Sequence, residues 1–430
     1  MPLEAGEGVS DLTPPLGVEL AGFHKPLGKE RRGTGVRQPC NVRALALRAG
    51  KAEAAIAVLD LLGLSQDFAR KTKKRIAKKS GIPEKNIRVC ATHSHSAPSL
   101  VFLRQWGALS PEFEKLAEER TLEAVAAAKN DLAPADLYFG KDRVQGGNHN
   151  RTTKTWKTDA EFTKDSTDSE RWLDTTLRAL YFQREKPKRS LLWYNFSAHA
   201  VCFTDTLAGP DWPGLVLAKM QGRDDLQPCF LQGNCGDVNP GDGATSLGDP
   251  EKVSEAVYAA LHHATNHSDY VKVDELRVLT EQIDLPLDIG LLRSELETYE
   301  KDPAACTKGE WVDPPFAKDW HDALKKWNPR KTSYSAPLSA MRLGELGLLF
   351  HPSELYSYYG LAIHRDSPFP QNLVCGYTDD FVGYIPDPNA YPNKEYAAIV
   401  VPKLTGLPPF KPETGRDLAR HAIKLLNKLA

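Results

Sequence analysis

Ala54–Asp60 (AAIAVLD), a stretch of helical periodicity from Gln66 to about Lys79, and Ile87–Thr92 (IRVCAT) together decide the fold. The two apolar runs have strand length, Ser65 is placed to cap the helix between them, and Gly81 with Pro83 stop it. Strand, helix and strand in this order predict a βαβ unit with parallel strands and a right-handed crossover. Each strand ends in polar chemistry, Asp60 and His93. In α/β sheets the ligand site lies beyond the carboxyl ends of the strands, because helices cover the faces and the loops converge there.

The same grammar recurs along the chain. Leu191–Phe196 precedes His199, Cys229–Leu231 precedes the loop Gly233–Pro240, Leu346–Phe350 precedes His351 to Glu354, and Asn372–Gly376 precedes Tyr377 to Tyr384. Helices are expected at Pro111–Asn130, Leu215–Gln221, Pro250–His263, Leu355–His364 and Thr414–Leu429. This alternation predicts an α/β fold with a mixed or largely parallel central sheet, flanking helices and a site at the carboxyl ends of the strands. The segment Leu287–Ser335, rich in charge, Trp and Pro, interrupts the pattern and reads as a helical insertion at the rim of the site within one domain spanning residues 1–430.

With 430 residues, 26% charged, 41% hydrophobic and a formal net charge of −1, the composition is that of an ordinary globular chain. The charge balance excludes a nucleic-acid binder relying on whole-protein basicity. No run reaches the ~18 apolar residues that cross a bilayer. The seven cysteines are scattered without a CxxC pair, so no disulfide framework is expected, although Cys229 and Cys235 are close enough in sequence to pair. Met1 to Val9 lacks a basic start and an apolar stretch, so no signal peptide is expected here, and localisation stays open between the cytoplasm and a processed export form.

His93 and His95 follow a strand directly, and if extended backbone continues, residues two apart point to one side. Two imidazoles on one face form the nucleus of a metal site, one ligating and the other a second ligand or a proton donor. His199 and Glu354 also follow strand-like runs, so two nitrogens and one oxygen would arrive at strand ends of the same sheet. Two histidines and a carboxylate, leaving one position for water, is the usual arrangement of catalytic zinc. Glu354 alone would equally suit the first turn of the following helix, where a carboxylate complements the dipole.

The loop Gly233–Pro240 (GNCGDVNP) could offer backbone N–H groups as an anion nest or oxyanion site, or simply be a tight turn. It is neither a P-loop, lacking a following GKS or GKT, nor an EF-hand, since Gly248 stands where a bidentate Glu is required. Cys235 could be read as a nucleophile beside a histidine, but no further signature supports it. The basic run Arg70, Lys71, Lys73, Lys74, Arg75, Lys78 and Lys79 reads first as a solvated helix face and otherwise as a contact for anionic lipid head groups.

Taken in order, several motifs resemble the neutral ceramidase family, the neutral/alkaline non-lysosomal ceramidases. They are Thr13–Val18 (TPPLGV), Ala21–His24 (AGFH), Thr92–Pro98 (THSHSAP), Asn148–Arg151 (NHNR), His199 after its strand, Gln232–Pro240 (QGNCGDVNP), Pro352–Glu354 (PSE) and Gly376–Pro386 (GYTDDFVGYIP). The resemblance implies a zinc-dependent amidohydrolase cleaving the N-acyl bond of ceramide, or of a ceramide-like lipid, to a fatty acid and an amine such as sphingosine. It implies His93, His199, Glu354 and Tyr384 as zinc ligands. It implies His95 and Arg151, with Tyr384, as the catalytic groups that contact water, carbonyl or product. The implied partner is a lipid-like N-acyl substrate, with peripheral membrane contact open and neither nucleic acid nor an obligate protein partner implied.

The chain departs from the family pattern at several positions. Asn239 replaces the Ser of the family's GDVSPN and Gly241 its final Asn, which excludes a serine nucleophile there. The family's HPTSM stands here as His199-Ala200-Val201-Cys202-Phe203, its SGPGG as Ser96-Ala97-Pro98-Ser99-Leu100 and its PGE as Pro352-Ser353-Glu354. The ligand types persist while the pocket residues change, so metal binding is a firmer expectation than ceramide itself. A metal-dependent hydrolase of another amide or ester is the nearest alternative, and a non-catalytic lipid-surface binding protein is the alternative of another class. The family's C-terminal immunoglobulin-like domain is not expected after the helix that ends at Ala430.

Overall fold

The computed structural model describes residues 2–152 and 172–430. The opening βαβ unit forms as the residues dictate: Ala52–Leu59 and Ile87–Ala91 pair in parallel and are joined by the helix Gln66–Ser80. The Ser65 side chain accepts from the Phe68 N–H at the start of that helix, and Gly81 closes it in the left-handed region at φ 77°. These strands belong to a sheet whose described residues form nine strands. Most of its pairings are antiparallel. Parallel pairing is confined to that first pair and to Leu191–Phe196 with Cys229–Gln232, so the sheet is mixed rather than largely parallel.

Leu346–Phe350 and Gln371–Cys375, expected in the same sheet, instead pair with each other in parallel within a separate four-stranded sheet. An apolar run buried on both faces reads the same whichever sheet it joins. The two sheets stack face to face. Residues alternate along Val42–Leu47: Val42, Ala44 and Ala46 face a core under the helices, whereas Leu45 and Leu47 join Ile56, Val58, Trp193, Met341, Leu348 and Phe350 between the sheets. Helices Trp212–Asp224 and Pro250–Asn266 cover part of the outer face of the large sheet. Ser357–Asp366 and Thr414–Asn427 cover the smaller one.

The 287–335 segment contains the helices Ile289–Lys301 and Pro314–Leu324, but from Ser333 it runs into the strand Ser333–Leu343. Its Trp320 is buried core, while the Trp311 ring lies 5.2 Å from Tyr396, whose own ring meets Tyr384 at 5.8 Å. All seven cysteines are free. Four residues of the basic run make ion pairs: Lys71 and Arg75 with Glu118, Lys73 with Asp379, and Arg70 with Asp67. Among the described residues no helix is long and apolar enough to cross a membrane.

Candidate metal centre

Three parallel strand pairs align their carboxyl ends and deliver the polar residues to one place. His93 leaves Ile87–Ala91, His199 leaves Leu191–Phe196, and Glu354 and Tyr384 follow the paired strands of the smaller sheet. Gln232 ties the first two together, its Nε2 donating to the Thr92 carbonyl at 3.2 Å and to the Ala198 carbonyl at 2.9 Å. The backbone at His93 is not extended but turns through φ 62°. Its ring nevertheless meets that of His95, with Nε2 atoms 3.2 Å apart.

Glu354 is not in a helix first turn: it lies in the two-residue strand Glu354–Leu355, paired in parallel with Tyr384–Ile385, and the next helix starts at Ser357. Its Oε2 is 3.2 Å from Nε2 of His93 and 3.2 Å from Nε2 of His199. The Tyr384 hydroxyl is also 3.2 Å from His199 Nε2. Ligands at about 2.0–2.2 Å from a tetrahedral zinc would stand roughly 3.3–3.6 Å from one another. The separations here lie close to the short end of that spacing.

The tautomers are fixed from behind. His93 Nδ1 donates to the Leu62 carbonyl at 2.8 Å and His199 Nδ1 to the Val238 carbonyl at 2.9 Å. A carbonyl only accepts, so each Nδ1 carries a proton, and in the neutral imidazole each Nε2 turns a lone pair toward Glu354. With both imidazoles neutral, three acceptor atoms face one another in a buried site, an arrangement that a cation among them stabilises. The donor set therefore fits a divalent metal, and His93, His95 and His199 together bring one ligand atom each within 4.8 Å of the others. Burial, with Arg151 adding, pushes the His199 imidazole down to about 4, and burial holds His95 well below the ordinary histidine value. Both rings are thus neutral near neutral pH, as a metal ligand must be.

His95 differs from the other two. Its Nδ1 has no hydrogen-bond partner, and its Nε2 has the His93 Nε2 at 3.2 Å. Gly22 makes room for the ring, since a Cβ there would stand 2.3 Å from that nitrogen. Arg151 enters from the strand Asn148–Asn150, which pairs with Val238–Pro240 and so brings two distant motifs side by side. Its Nη2 donates to the Tyr384 hydroxyl and to the Gly236 carbonyl, each at 2.7 Å, and Nη1 reaches Asn239 Oδ1 at 3.3 Å.

The glycine loop is a scaffold rather than an open nest. The N–H groups of Gly233, Asn234, Gly236 and Val238 already donate to Phe196, Ser197, Leu355 and Cys235. A Cβ on Gly236 would lie 2.5 Å from the Glu354 carbonyl oxygen, which shows how closely the loop packs behind the carboxylate. Cys235 is buried against the Tyr377 hydroxyl at 2.9 Å, and burial pushes its thiol well above the usual range, which removes the nucleophile reading. The supporting residues Gln232 and Tyr377 have no role assigned in the sequence analysis. Gln232 and Tyr377 sit inside quoted motifs, but nothing in a motif says which carbonyls a side chain will clamp.

The family model for neutral/alkaline non-lysosomal ceramidase, N-terminal, matches residues 3–256. No curated protein matches the sequence. Among solved structures, neutral ceramidase from Pseudomonas aeruginosa superposes with a TM-score of 0.74 at 17% identity, covering 100% of this chain and 74% of that one. A structure described as a ceramidase complexed with C2 superposes with a TM-score of 0.76, also at 17% identity, covering 100% of this chain and 75% of that one.

Proposed function

Because the chain belongs to the neutral/alkaline non-lysosomal ceramidase family, we propose that it is a zinc-dependent amidohydrolase cleaving the N-acyl bond of ceramide or a ceramide-like lipid. The observation that carries the reading is the convergence of His93 Nε2, His199 Nε2 and Glu354 Oε2 at 3.2 Å contacts, with both histidine Nδ1 protons committed to carbonyls. His93, His199, Glu354 and Tyr384 are the residues that would hold the ion. When bound, zinc supplies Lewis-acid polarisation of the amide carbonyl and lowers the pKa of water.

The chain's own residues account for the rest of the chemistry. His95, neutral and with an uncommitted ring nitrogen, accepts a proton from the attacking water and returns it to the leaving nitrogen. The water oxygen becomes part of the fatty acid, the C–N bond breaks, and the amine leaves with the proton. Arg151 donates to the Tyr384 hydroxyl from one side; with His199 turned to the ion, the phenolic proton would be available to the oxyanion, and the charge of Arg151 adds to that stabilisation. Burial favours the protonated phenol here.

A His199→Ala variant tests this directly: bound zinc and fatty-acid release are expected to fall together. Loss of zinc without loss of hydrolysis would sink the metal chemistry. Hydrolysis of another amide or ester by the same groups is the nearest alternative, favoured by Asn239 facing Arg151 where the family's pattern has Ser.

A further inference from the structure

Among the described residues eight large apolar side chains are exposed, and five of them, Leu16, Leu27, Phe102, Leu109 and Trp311, lie in three segments that close round the histidine cluster. The first segment, 13–34, reaches the cluster at Gly22 and at Phe23, whose ring meets His95 edge-on at 5.3 Å. The second, 99–110, follows the turn that carries His93 and His95. It is laced to the first where the Gly22 N–H donates to the Trp106 carbonyl at 2.9 Å and the Lys25 N–H to the Gln105 carbonyl at 3.3 Å. Trp106 then meets Tyr396 at 6.0 Å, and Tyr396 meets Trp311 of the third segment at 5.2 Å. One series of contacts therefore links the candidate metal centre to all three segments.

Leu16 and Leu27 are the most exposed of these, at 68% and 67%. Each takes the second place of a Pro-Leu-Gly turn: the Val18 N–H donates to the Pro15 carbonyl at 3.3 Å, and the Lys29 N–H to the Pro26 carbonyl at 2.9 Å. Gly17 and Gly28 take the third place at φ 84° and 83°, and nothing lies within 4 Å of where a Cβ on either would stand. Such a turn calls for glycine there, but nothing in its geometry calls for leucine before it. Two rigid turns thus hold apolar side chains out into open space, which is unfavourable in water and marks a contact surface.

The flanking charge identifies what covers them. Leu27 stands within Lys25–Arg32 (KPLGKERR), which has four basic residues and one acidic. Arg31 of these is buried, whereas Lys29 and Arg32 are exposed beside the leucine. Apolar tips with basic flanks and a Trp suit the head-group region of a bilayer with anionic lipid. The basic helix Gln66–Ser80 lacks the apolar half of that pattern, because its Phe68 and Ile76 are buried.

We propose that the rim formed by Leu16, Leu27, Phe102, Leu109 and Trp311 docks the chain on a bilayer surface bearing anionic head groups, with the apolar tips inserted and the metal centre brought next to the lipid. The inference rests on the amidohydrolase reading for its purpose, since a ceramide-like substrate resides in a bilayer, and adds how the enzyme reaches it.

The test is co-sedimentation of the full chain with vesicles of equimolar phosphatidylcholine and phosphatidylglycerol, and with phosphatidylcholine vesicles alone. The wild type is expected to partition onto the mixed vesicles, and the double variant Leu16→Ser/Leu27→Ser to do so ~10-fold less or weaker still. Lys29→Glu is expected to weaken binding to the mixed vesicles and not to phosphatidylcholine. Tyr270→Ser removes a comparably exposed ring that shares a groove with Leu3, at the amino end of the strand Leu3–Asp11 and so at the end of the sheet opposite the site; it is expected to change neither. No binding by the wild type, undiminished binding by the double leucine variant, or an equal loss in Tyr270→Ser would overturn the inference, and an equal effect of Lys29→Glu on both vesicles would overturn its head-group part. Hydrolysis of a short-chain N-acyl sphingosine in detergent keeps the two readings apart. The double leucine variant is expected to retain it, and sedimentation needs no turnover, so a chain that hydrolyses nothing yet binds through these leucines would defeat the amidohydrolase and uphold the docking surface.

Discussion

Glu354 and Tyr384 are Cα partners in a two-residue parallel ladder, and the same His199 Nε2 lies 3.2 Å from the carboxylate of one and 3.2 Å from the hydroxyl of the other. Main-chain pairing sets their separation, so the two groups keep their places whatever their side chains hold. This rigidity is what a preorganised site requires.

Removing only the hydroxyl separates catalysis from architecture. Tyr384→Phe leaves the ladder in place but removes a proposed zinc ligand together with an oxyanion donor; kcat is expected to fall by about 10²–10³-fold, the usual loss for one oxyanion donor, in protein shown by metal analysis to retain its zinc. Steady-state kinetics with the melting temperature as control checks this, and an unchanged kcat would remove Tyr384 from the chemistry.

Gly22 offers the complementary separation. With φ at 97° and a would-be Cβ 2.3 Å from His95 Nδ1, Gly22→Ala must displace the ring. Zinc stoichiometry is expected to hold while kcat drops by roughly 10²-fold or more, the contribution of a positioned general acid–base. Parallel loss of zinc would instead make His95 a ligand.

Acid should inactivate the enzyme late. Burial keeps His95 neutral well below the ordinary histidine range and takes His199 to about 4. Protonation abolishes ligand and base alike, so the depressed values extend the active form downward in pH. The acid limb of kcat/KM is expected nearer 4 than the ordinary histidine value of about 6.5, and a limb between 6 and 7 would contradict that.

Stability near the site depends on Asp379, which pairs with the fully buried Arg88 at 2.6 Å and with Lys73 at 2.9 Å. Asp379→Ala strands a buried guanidinium, for which a loss of about 3–5 kcal/mol is expected. Denaturant unfolding measures it, and a loss under about 1 kcal/mol, the scale of an exposed pair, would mean that water reaches Arg88.

The strands that carry chemistry were legible in the sequence because each is a short apolar run ending in a polar cluster. Their antiparallel neighbours were not. Leu3–Asp11 (LEAGEGVSD) reads as a poor strand, yet its Gly6 and Gly8 let the helix Pro111–Asn130 lie directly on it, where any Cβ would strike the Ala128 and Ala124 carbonyls. Close approach of a helix leaves no apolar signature. Spacing alone likewise brought His93, His95, His199 and Glu354 into view, whereas Tyr384 and Arg151 rested on the family resemblance. Their places follow from the two-residue ladder and from the strand Asn148–Asn150, pairings too short to leave a periodic pattern.

The most direct test of the central claim is fatty-acid release from a short-chain N-acyl sphingosine in detergent, measured before chelation, after it, and after zinc is restored. Release that disappears with the chelator and returns with zinc is the expected result. Release that persists in protein stripped of metal would contradict it.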